Sequence, residues 1–273
     1  MDHDLQDYLK TAVGVARKAG DMVKKAYCVD KSVVTKESYA DLVTETDQAV
    51  ERMIIDSLAE KYPTHKFIGE ESVSGGKKCE WTDTPTWIID PIDGTANFVH
   101  SIPYNCVCIG LGINRKIVVG IVYLPITDQM YTAVKGQGAF CNDTRISVSK
   151  VSDLKNAVVY TEAGNNRHSD TVLTKIENMK NIVFASHGIR CLGSAAVNMC
   201  MVAQGSGDAY VEYGIHIWDV AASGIIVEEA GGVLMDPTGS EMDYLSRGIL
   251  CASSPSVATS ISKIIKPLEL ERD

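Results

Sequence analysis

The 273-residue chain carries 35 acidic against 26 basic side chains, a formal net charge of −9. That balance opposes nucleic-acid binding, which depends on basic surface, and no apolar run approaches the ~20 residues of a membrane span. Globular usage, 45% hydrophobic and 22% charged, is enough for one large domain or two intimate subdomains with a sizeable core. The acidic start Met1-Asp2-His3-Asp4-Leu5 has no signal-peptide pattern, so a cytoplasmic setting is expected. There the eight scattered cysteines, none in a C-x-x-C pair, are reduced thiols.

Apolar positions at helical spacing predict helices over residues 5–26 (Leu5, Leu9, Ala12, Val13, Ala16) and 45–61 (Val50, Met53, Ile54, Leu58). Asp41-Leu42-Val43-Thr44-Glu45-Thr46-Asp47 precedes the second and reads as a capping box or as charge placed at a helix start. From 67 to about 148 the texture turns to strands. Residues 106–113 and 117–126 flank Asn114-Arg115-Lys116, a hairpin turn, and Lys135-Gly136-Gln137-Gly138 reads as another. Cys106 and Cys108 share a strand face, but two ligands do not make a zinc site. From 156 onward short strands (157–161, 182–186, 209–212) alternate with helices (170–179, 194–203, 219–230), which favours an α/β layered second half. The chain thus divides into 1–150 and 151–273.

Within the strand-rich part, Trp87-Ile88-Ile89-Asp90-Pro91-Ile92-Asp93-Gly94-Thr95-Ala96-Asn97-Phe98 stands out. An apolar strand ends in Asp90, and Pro91, with fixed φ and no N–H, is expected to stop it. The turn directs two carboxylates to one place and leaves the Ile92 carbonyl between them, a set of hard oxygens that suits Mg²⁺. Gly94 and Thr95 follow with backbone N–H groups of the kind that bind phosphate. Asp-Pro and Asp-Gly are also ordinary turn residues. An EF-hand is excluded, because Gly94 as loop position six would put Ile89 and His100 at the terminal ligand positions.

Two more acidic stations accompany this motif. Gly69-Glu70-Glu71 closes a short apolar run, and adjacent carboxylates are either a solvated loop or compensated by a cation. In Gly214-Ile215-His216-Ile217-Trp218-Asp219-Val220-Ala221-Ala222, Asp219 is either a helix N-cap or a ligand. A net negative protein holds a doubly charged phosphomonoester only if cations reverse the local sign. No P-loop, dinucleotide fingerprint, H-E-x-x-H or G-x-S-x-G occurs.

These segments, in this order and spacing, together with Gly188-Ile189-Arg190, Gly193-Ser194-Ala195-Ala196 and Glu228-Glu229-Ala230-Gly231-Gly232, resemble the inositol monophosphatase family over nearly the whole chain. The resemblance implies a five-layer αβαβα sandwich of the α/β class. Residues 1–150 would form an N-terminal α+β subdomain with most metal ligands, and 151–273 a C-terminal α/β subdomain with substrate contacts and Asp219. It implies Mg²⁺-dependent, lithium-sensitive hydrolysis of inositol monophosphates by a cytoplasmic homodimer.

Residue by residue, Glu70, Asp90 and the Ile92 carbonyl match the ligands of one Mg²⁺. Asp90, Asp93 and Asp219 match those of a second, and a third, weaker ion would touch Glu70. Two ions can clamp a phosphoryl group, and they activate the attacking water. Glu70, Thr95 and Asp47 match the catalytic group, the last two orienting or deprotonating that water. Asp93, Gly94, Thr95, Asn165, Gly193, Ser194, Ala195, Glu212 and Asp219 match the substrate-binding positions. Asn165 stands where relatives often carry Ser, which leaves another sugar or polyol phosphate open as substrate; a non-catalytic phosphate sensor is the remaining alternative. His216 reads as a partner behind the cluster, and Lys36 as part of a polar flap.

Overall fold

In a computed structural model, described over residues 5–29, 33–35 and 42–273, the chain folds into two large sheets, a two-stranded ribbon and three helical layers. Helix α1 (Leu5–Tyr27) carries Asp7 in its first turn and Lys24 and Lys25 in its last, each favourable to the helix dipole. Strands β1 (Val33–Thr35) and β2 (Leu42–Thr44) pair antiparallel, and α2 (Glu45–Lys61) follows at once. Lys36 and Asp41 lie outside the described residues.

A seven-stranded sheet comes next. It comprises β3 (Lys66–Gly69), β4 (Thr86–Asp93), β5 (Cys106–Ile113), β6 (Lys116–Leu124), β7 (Gln129–Val134), β8 (Gly138–Cys141) and β9 (Thr144–Ile146), in sequential order. Only β3–β4 is parallel; the rest are antiparallel neighbours. Two short helices, α3 (Glu70–Ser74) and α4 (Thr95–Val99), leave the C-terminal ends of the parallel pair. The expected hairpin turn is present, with Asn114 and Arg115 both at positive φ (52° and 56°), as tight hairpins require.

The remaining chain forms β10 (Val158–Thr161), α5 (Ser169–Ala185), β11 (Gly188–Arg190), α6 (Ala195–Ala203), β12 (Ala209–Tyr213), α7 (Ile217–Glu229), β13 (Val233–Met235), β14 (Gly248–Ala252) and α8 (Pro255–Ser262). Its sheet runs β11-β10-β12-β14-β13, with the first three strands parallel. The five layers are α1/α2, the larger sheet, α6/α7, the smaller sheet and α5/α8. Helices α6 and α7 are apolar around most of their circumference because they are covered on both sides. The approach is close: a Cβ at Gly120 of β6 would lie 2.3 Å from the Ala222 carbonyl of α7.

Two expectations are corrected. Pro91 does not end β4. Pairing with β5 resumes at Asp93–Cys106 after a register shift from Asp90–Cys108. On the other flank β3 pairs only as far as Ile89. Pro91 therefore sits in a bulge on a locally unpaired edge, where its missing N–H costs nothing. The strand expected at 182–186 is instead the end of α5, with the smaller sheet's edge strand at β11. Ile182 alone of that apolar run is fully buried, while Val183 and Phe184 are exposed. A short apolar run does not by periodicity separate strand from helix.

Candidate active site

Strand ends and helix starts from both sheets meet at one cleft of about 450 Å³, lined by Glu70, Asp90, Ile92, Asp93, Gly94, Thr95, Asn165, Gly193, Ser194, Ala195, Glu212 and Asp219. Asp47 is fully buried behind Thr95. Every residue matched above to a metal, catalytic or substrate position thus lies in the cleft wall or, for Asp47, one hydrogen bond behind it.

The β4 bulge shapes the centre. Asp90 Oδ1 accepts the Ile92 N–H at 3.0 Å, bridging over Pro91. The Ile92 carbonyl is not wholly free, since the Thr95 hydroxyl lies 3.0 Å from it and 3.3 Å from Asp47 Oδ1. The other Asp47 oxygen accepts the N–H (2.9 Å) and hydroxyl of Thr44, closing the box at the start of α2. One carboxylate therefore caps a helix and faces Thr95 at the same time. Asp93 Oδ2 accepts from the Ser194 hydroxyl (2.6 Å) and the Ala196 N–H (2.7 Å), so the bulge is tied to the first turn of α6.

Asp219 is three residues inside α7, not its N-cap. His216 holds the cap position and donates its N–H to Asp219 Oδ2 at 2.6 Å. The His216 ring stacks on Trp218 and lies between Asp273 (2.7 Å) and Arg247 (3.0 Å), away from the cleft lining. Glu212, at the end of β12, is buried and accepts from the Tyr210 hydroxyl.

Electrostatics mark this cluster. Burial, then repulsion from Glu70, Asp93 and Asp219, raises Asp90 well above the carboxylate range. Burial, then Asp93 and Glu70, does the same to Asp219. Burial pushes Asp93 up to about 6 against the Ser194 and Ala196 bonds, and Asp47 likewise to about 6. Glu212 is raised to about 7 by burial, opposed by Lys175 and Tyr210. Oxygens of Asp90, Asp93 and Asp219 lie within 4.8 Å of one another. Three carboxylates at that spacing, Asp90 and Asp93 buried and Asp219 half-buried, are costly unless a cation compensates. The oxygen-only donors fit a hard divalent metal. Cys106 and Cys108 stand behind Asp93 with sulfurs 3.7 Å apart; burial raises both thiols, as for inert core cysteines.

Three residues of the site were not visible from motif reading. Glu51 is buried on α2 and accepts the N–H groups of Glu71 (2.7 Å) and Ser72 (2.9 Å) and the Ser72 hydroxyl (2.6 Å), holding the start of α3 where Glu70 sits. The available signal was an acid at helical spacing with Ile54 and Leu58. Glu162 directly follows β10, whose last residue Thr161 pairs with Val211, the residue before Glu212 in parallel β12; it lines the cleft and accepts from Gly193 N–H (2.8 Å) and Asn198 (2.9 Å). Asn97 donates to the carbonyls of Tyr104 (2.7 Å) and Leu192 (2.6 Å), joining the two loops. Gly193 has φ +76°, and a Cβ there would meet the Asn97 amide at 2.9 Å, so no side chain fits.

Fold and cleft together define an enzyme of the layered α/β class with an acidic, cation-suited site. A model of the inositol monophosphatase family matches residues 4–269. Human inositol monophosphatase 1 is 51% identical over 269 residues, covering 98% of this chain and 97% of that protein. Among solved structures, extragenic suppressor protein suhB from Bartonella henselae superposes with a TM-score of 0.85 at 31% identity (95% and 98% of the two chains). The Thermotoga maritima IMPase does so with 0.84 at 31% (94% and 96%). The chain belongs to the inositol monophosphatase family.

Proposed function

We propose that this protein is a phosphoric monoester hydrolase that converts myo-inositol monophosphates to inositol and phosphate, with Mg²⁺ as cofactor. The observation that carries the reading is the convergence of Asp90, Asp93 and Asp219 oxygens in one cleft wall beside Gly94 and Thr95. Two or three Mg²⁺ would be held by Glu70, Asp90, the Ile92 carbonyl, Asp93 and Asp219, with Asp90 shared. When bound they supply the positive charge that draws in the phosphate, acidifies a water and steadies the leaving alkoxide.

The remaining work belongs to the chain. The Thr95 hydroxyl, its proton directed to Ile92 O or Asp47 Oδ1, keeps a lone pair to accept from the attacking water and orient it. Asp47, with a pKa near 6, is suited to share that proton. Glu70, at the first position of α3, lines the same cleft and would act on that water together with the bound metal. Gly94 and Thr95 N–H groups hold phosphate oxygens. Glu212, the Gly193-Ser194-Ala195 backbone and Asn165 receive the ring hydroxyls. The transition state is loose, so positioning and charge neutralisation carry the catalysis.

Lithium inhibition, a homodimer and a cytoplasmic location complete the reading. Among the described residues no helix is long and apolar enough to cross a membrane. The test is phosphate release from inositol 1-phosphate and glycerol 2-phosphate, with and without Mg²⁺. Mg²⁺-dependent turnover with a clear preference for the inositol ester is expected; turnover indifferent to Mg²⁺ rejects the metal assignment. Lithium inhibition should deepen as substrate rises, and a purely competitive pattern contradicts it.

A further inference from the structure

Strand β5 carries two thiols that the hydrolytic site does not use. Cys106 and Cys108 are two residues apart on an extended strand, so both side chains point to one face. Asp90 and Asp93 are three apart on β4 and would face opposite ways in a regular strand. The register shift between the pairs Asp90–Cys108 and Asp93–Cys106 undoes this, because the extra residue of the bulge turns Asp93 back toward the thiols. Asp93 Oδ2 lies 3.9 Å from Cys106 Sγ, and the two sulfurs are 3.7 Å apart. The Ser194 hydroxyl stands 3.7 Å from Cys106 Sγ.

Among the described residues, two groups of three side chains bring metal-ligating atoms within 4.8 Å of one another: Asp90, Asp93 and Asp219, and Asp93, Cys106 and Cys108. They share Asp93 and differ in character. The first offers only oxygen; the second offers two sulfurs and an oxygen. Soft thiolates select ions such as Zn²⁺, whereas carboxylates suit Mg²⁺. The spacing agrees. Two thiolates on a tetrahedral Zn²⁺, each at about 2.3 Å, stand about 3.8 Å apart, which is the separation the sulfurs already have. The two cysteines alone are too few for such an ion. The β4 bulge supplies the third ligand, enough for zinc with one open position. Cys106 and Cys108 are 1% and 0% exposed, but Asp93 and Ser194 line the cleft in front of them. An ion drawn in by the acidic cluster reaches the sulfurs past these two residues.

We propose that Cys106, Cys108 and Asp93 form a second metal site, for a thiophilic divalent cation of the Zn²⁺ type, that shuts off the hydrolytic site by engaging Asp93 from behind. On binding, the ion takes the place of the two thiol protons, which pass to solvent. Asp93 then shares its charge between two cations, and Mg²⁺ loses part of a ligand. Inhibition rests on the hydrolytic reading given above; binding does not.

Cd²⁺, a spectroscopic stand-in for Zn²⁺, is titrated in saturating Mg²⁺ into full-length wild type, Cys106→Ala, Cys108→Ala and, to control for exposed thiols, Cys28→Ala. Thiolate-to-cadmium charge transfer in the ultraviolet should develop alike in wild type and Cys28→Ala. The Cd²⁺ concentration that half-develops it should rise about tenfold or more in either core variant, since even partners behind a metal's ligands are worth that much. Phosphate release from inositol 1-phosphate is then followed against Zn²⁺ at the same Mg²⁺, with each chain's rate without Zn²⁺ as its reference. Half-inhibition should likewise need about tenfold more Zn²⁺ in Cys106→Ala and Cys108→Ala. A band equal in all four chains, or absent from wild type, overturns the site. A band that separates them with inhibition that does not overturns the coupling through Asp93. If no chain hydrolyses the ester in Mg²⁺ while the band contrast holds, the hydrolytic reading fails and the site stands. Should either alanine variant not fold, Cys106→Ser and Cys108→Ser, which keep the side chain's size, carry the same comparison.

Discussion

Asp90 lies at the centre of mutual repulsion among buried acids. Asp90→Asn removes one of the charges that a cation needs while keeping the side chain's size. Turnover should vanish while the melting temperature holds or rises, because a repelling charge is gone; phosphate release and a thermal melt on the same preparation decide this. Glu212 gives a test of specificity at the same scale. A charged acceptor contributes roughly 1.5–3 kcal/mol per hydrogen bond against about 0.5–1.5 for a neutral one. Glu212→Gln should therefore cost several-fold in kcat/KM on inositol 1-phosphate. Glu212→Ala should cost about ten- to a hundred-fold. Glycerol 2-phosphate, with few hydroxyls to reach this position, should lose much less. Equal losses on both esters would show that Glu212 supports the fold or the cluster, a result its contact with Tyr210 makes worth testing.

At the scale of elements, the cleft is built from helix starts set by buried acids on neighbouring elements. Glu51 on α2 holds the start of α3, and Asp93 on β4 holds the start of α6. Glu51→Gln would turn an amide N–H₂ toward donors of α3, leaving at least one of them unpaired at about 1–3 kcal/mol. The expected outcome is a lower melting temperature together with a drop in kcat/KM as Glu70 loses its position. A stability loss with unchanged kinetics would separate α3 from catalysis. Motif spacing made α1, α2 and the β5–β6 hairpin legible, since each is long or bounded by turn residues. The end of α5 was not, because exposed Val183 and Phe184 mimic a strand. The continuation of β4 past Pro91 was not either, because only pairing with β5 and the early end of β3 make a proline acceptable there.

For the whole molecule, the acidic cluster links stability to pH and to metal. Asp93 and Asp47 titrate near 6 in the folded protein against an ordinary value of 3.8, and Asp90 and Asp219 are also raised. A raised acid means that the folded protein keeps protons the unfolded chain has released. These groups therefore impose no penalty below about pH 4. Stability falls as pH climbs from there through the folded values near 6 of Asp93 and Asp47, and the raised Asp90 and Asp219 add to the fall as they ionise. Chelated protein should melt higher at pH 5 than at pH 7.5. A cation at a hundred times its Kd adds about 2.7 kcal/mol, roughly 5–10 °C for a chain of this size. Mg²⁺ should supply that rise at pH 7.5 and much less at pH 5, where the carboxylates hold protons. A melting temperature indifferent to Mg²⁺ at both pH values would contradict the metal role.

The sequence alone determined the kinds of chemistry available: hard carboxylate oxygens at Asp90, Asp93, Glu70 and Asp219, and turn residues such as Gly94 beside them. Those follow from residue type and local spacing, which a linear chain displays directly. It also determined the layered α/β class, through hydrophobic periodicity and family resemblance. Only the tertiary structure decided that Asp47 serves Thr44 and Thr95 with its two oxygens. It likewise decided that Glu51, Glu162 and Asn97 hold the cleft together, and that Cys106 and Cys108 stand behind Asp93. These depend on which elements pack face to face across tens of residues of chain, and burial and electrostatic field exist only once those faces have met.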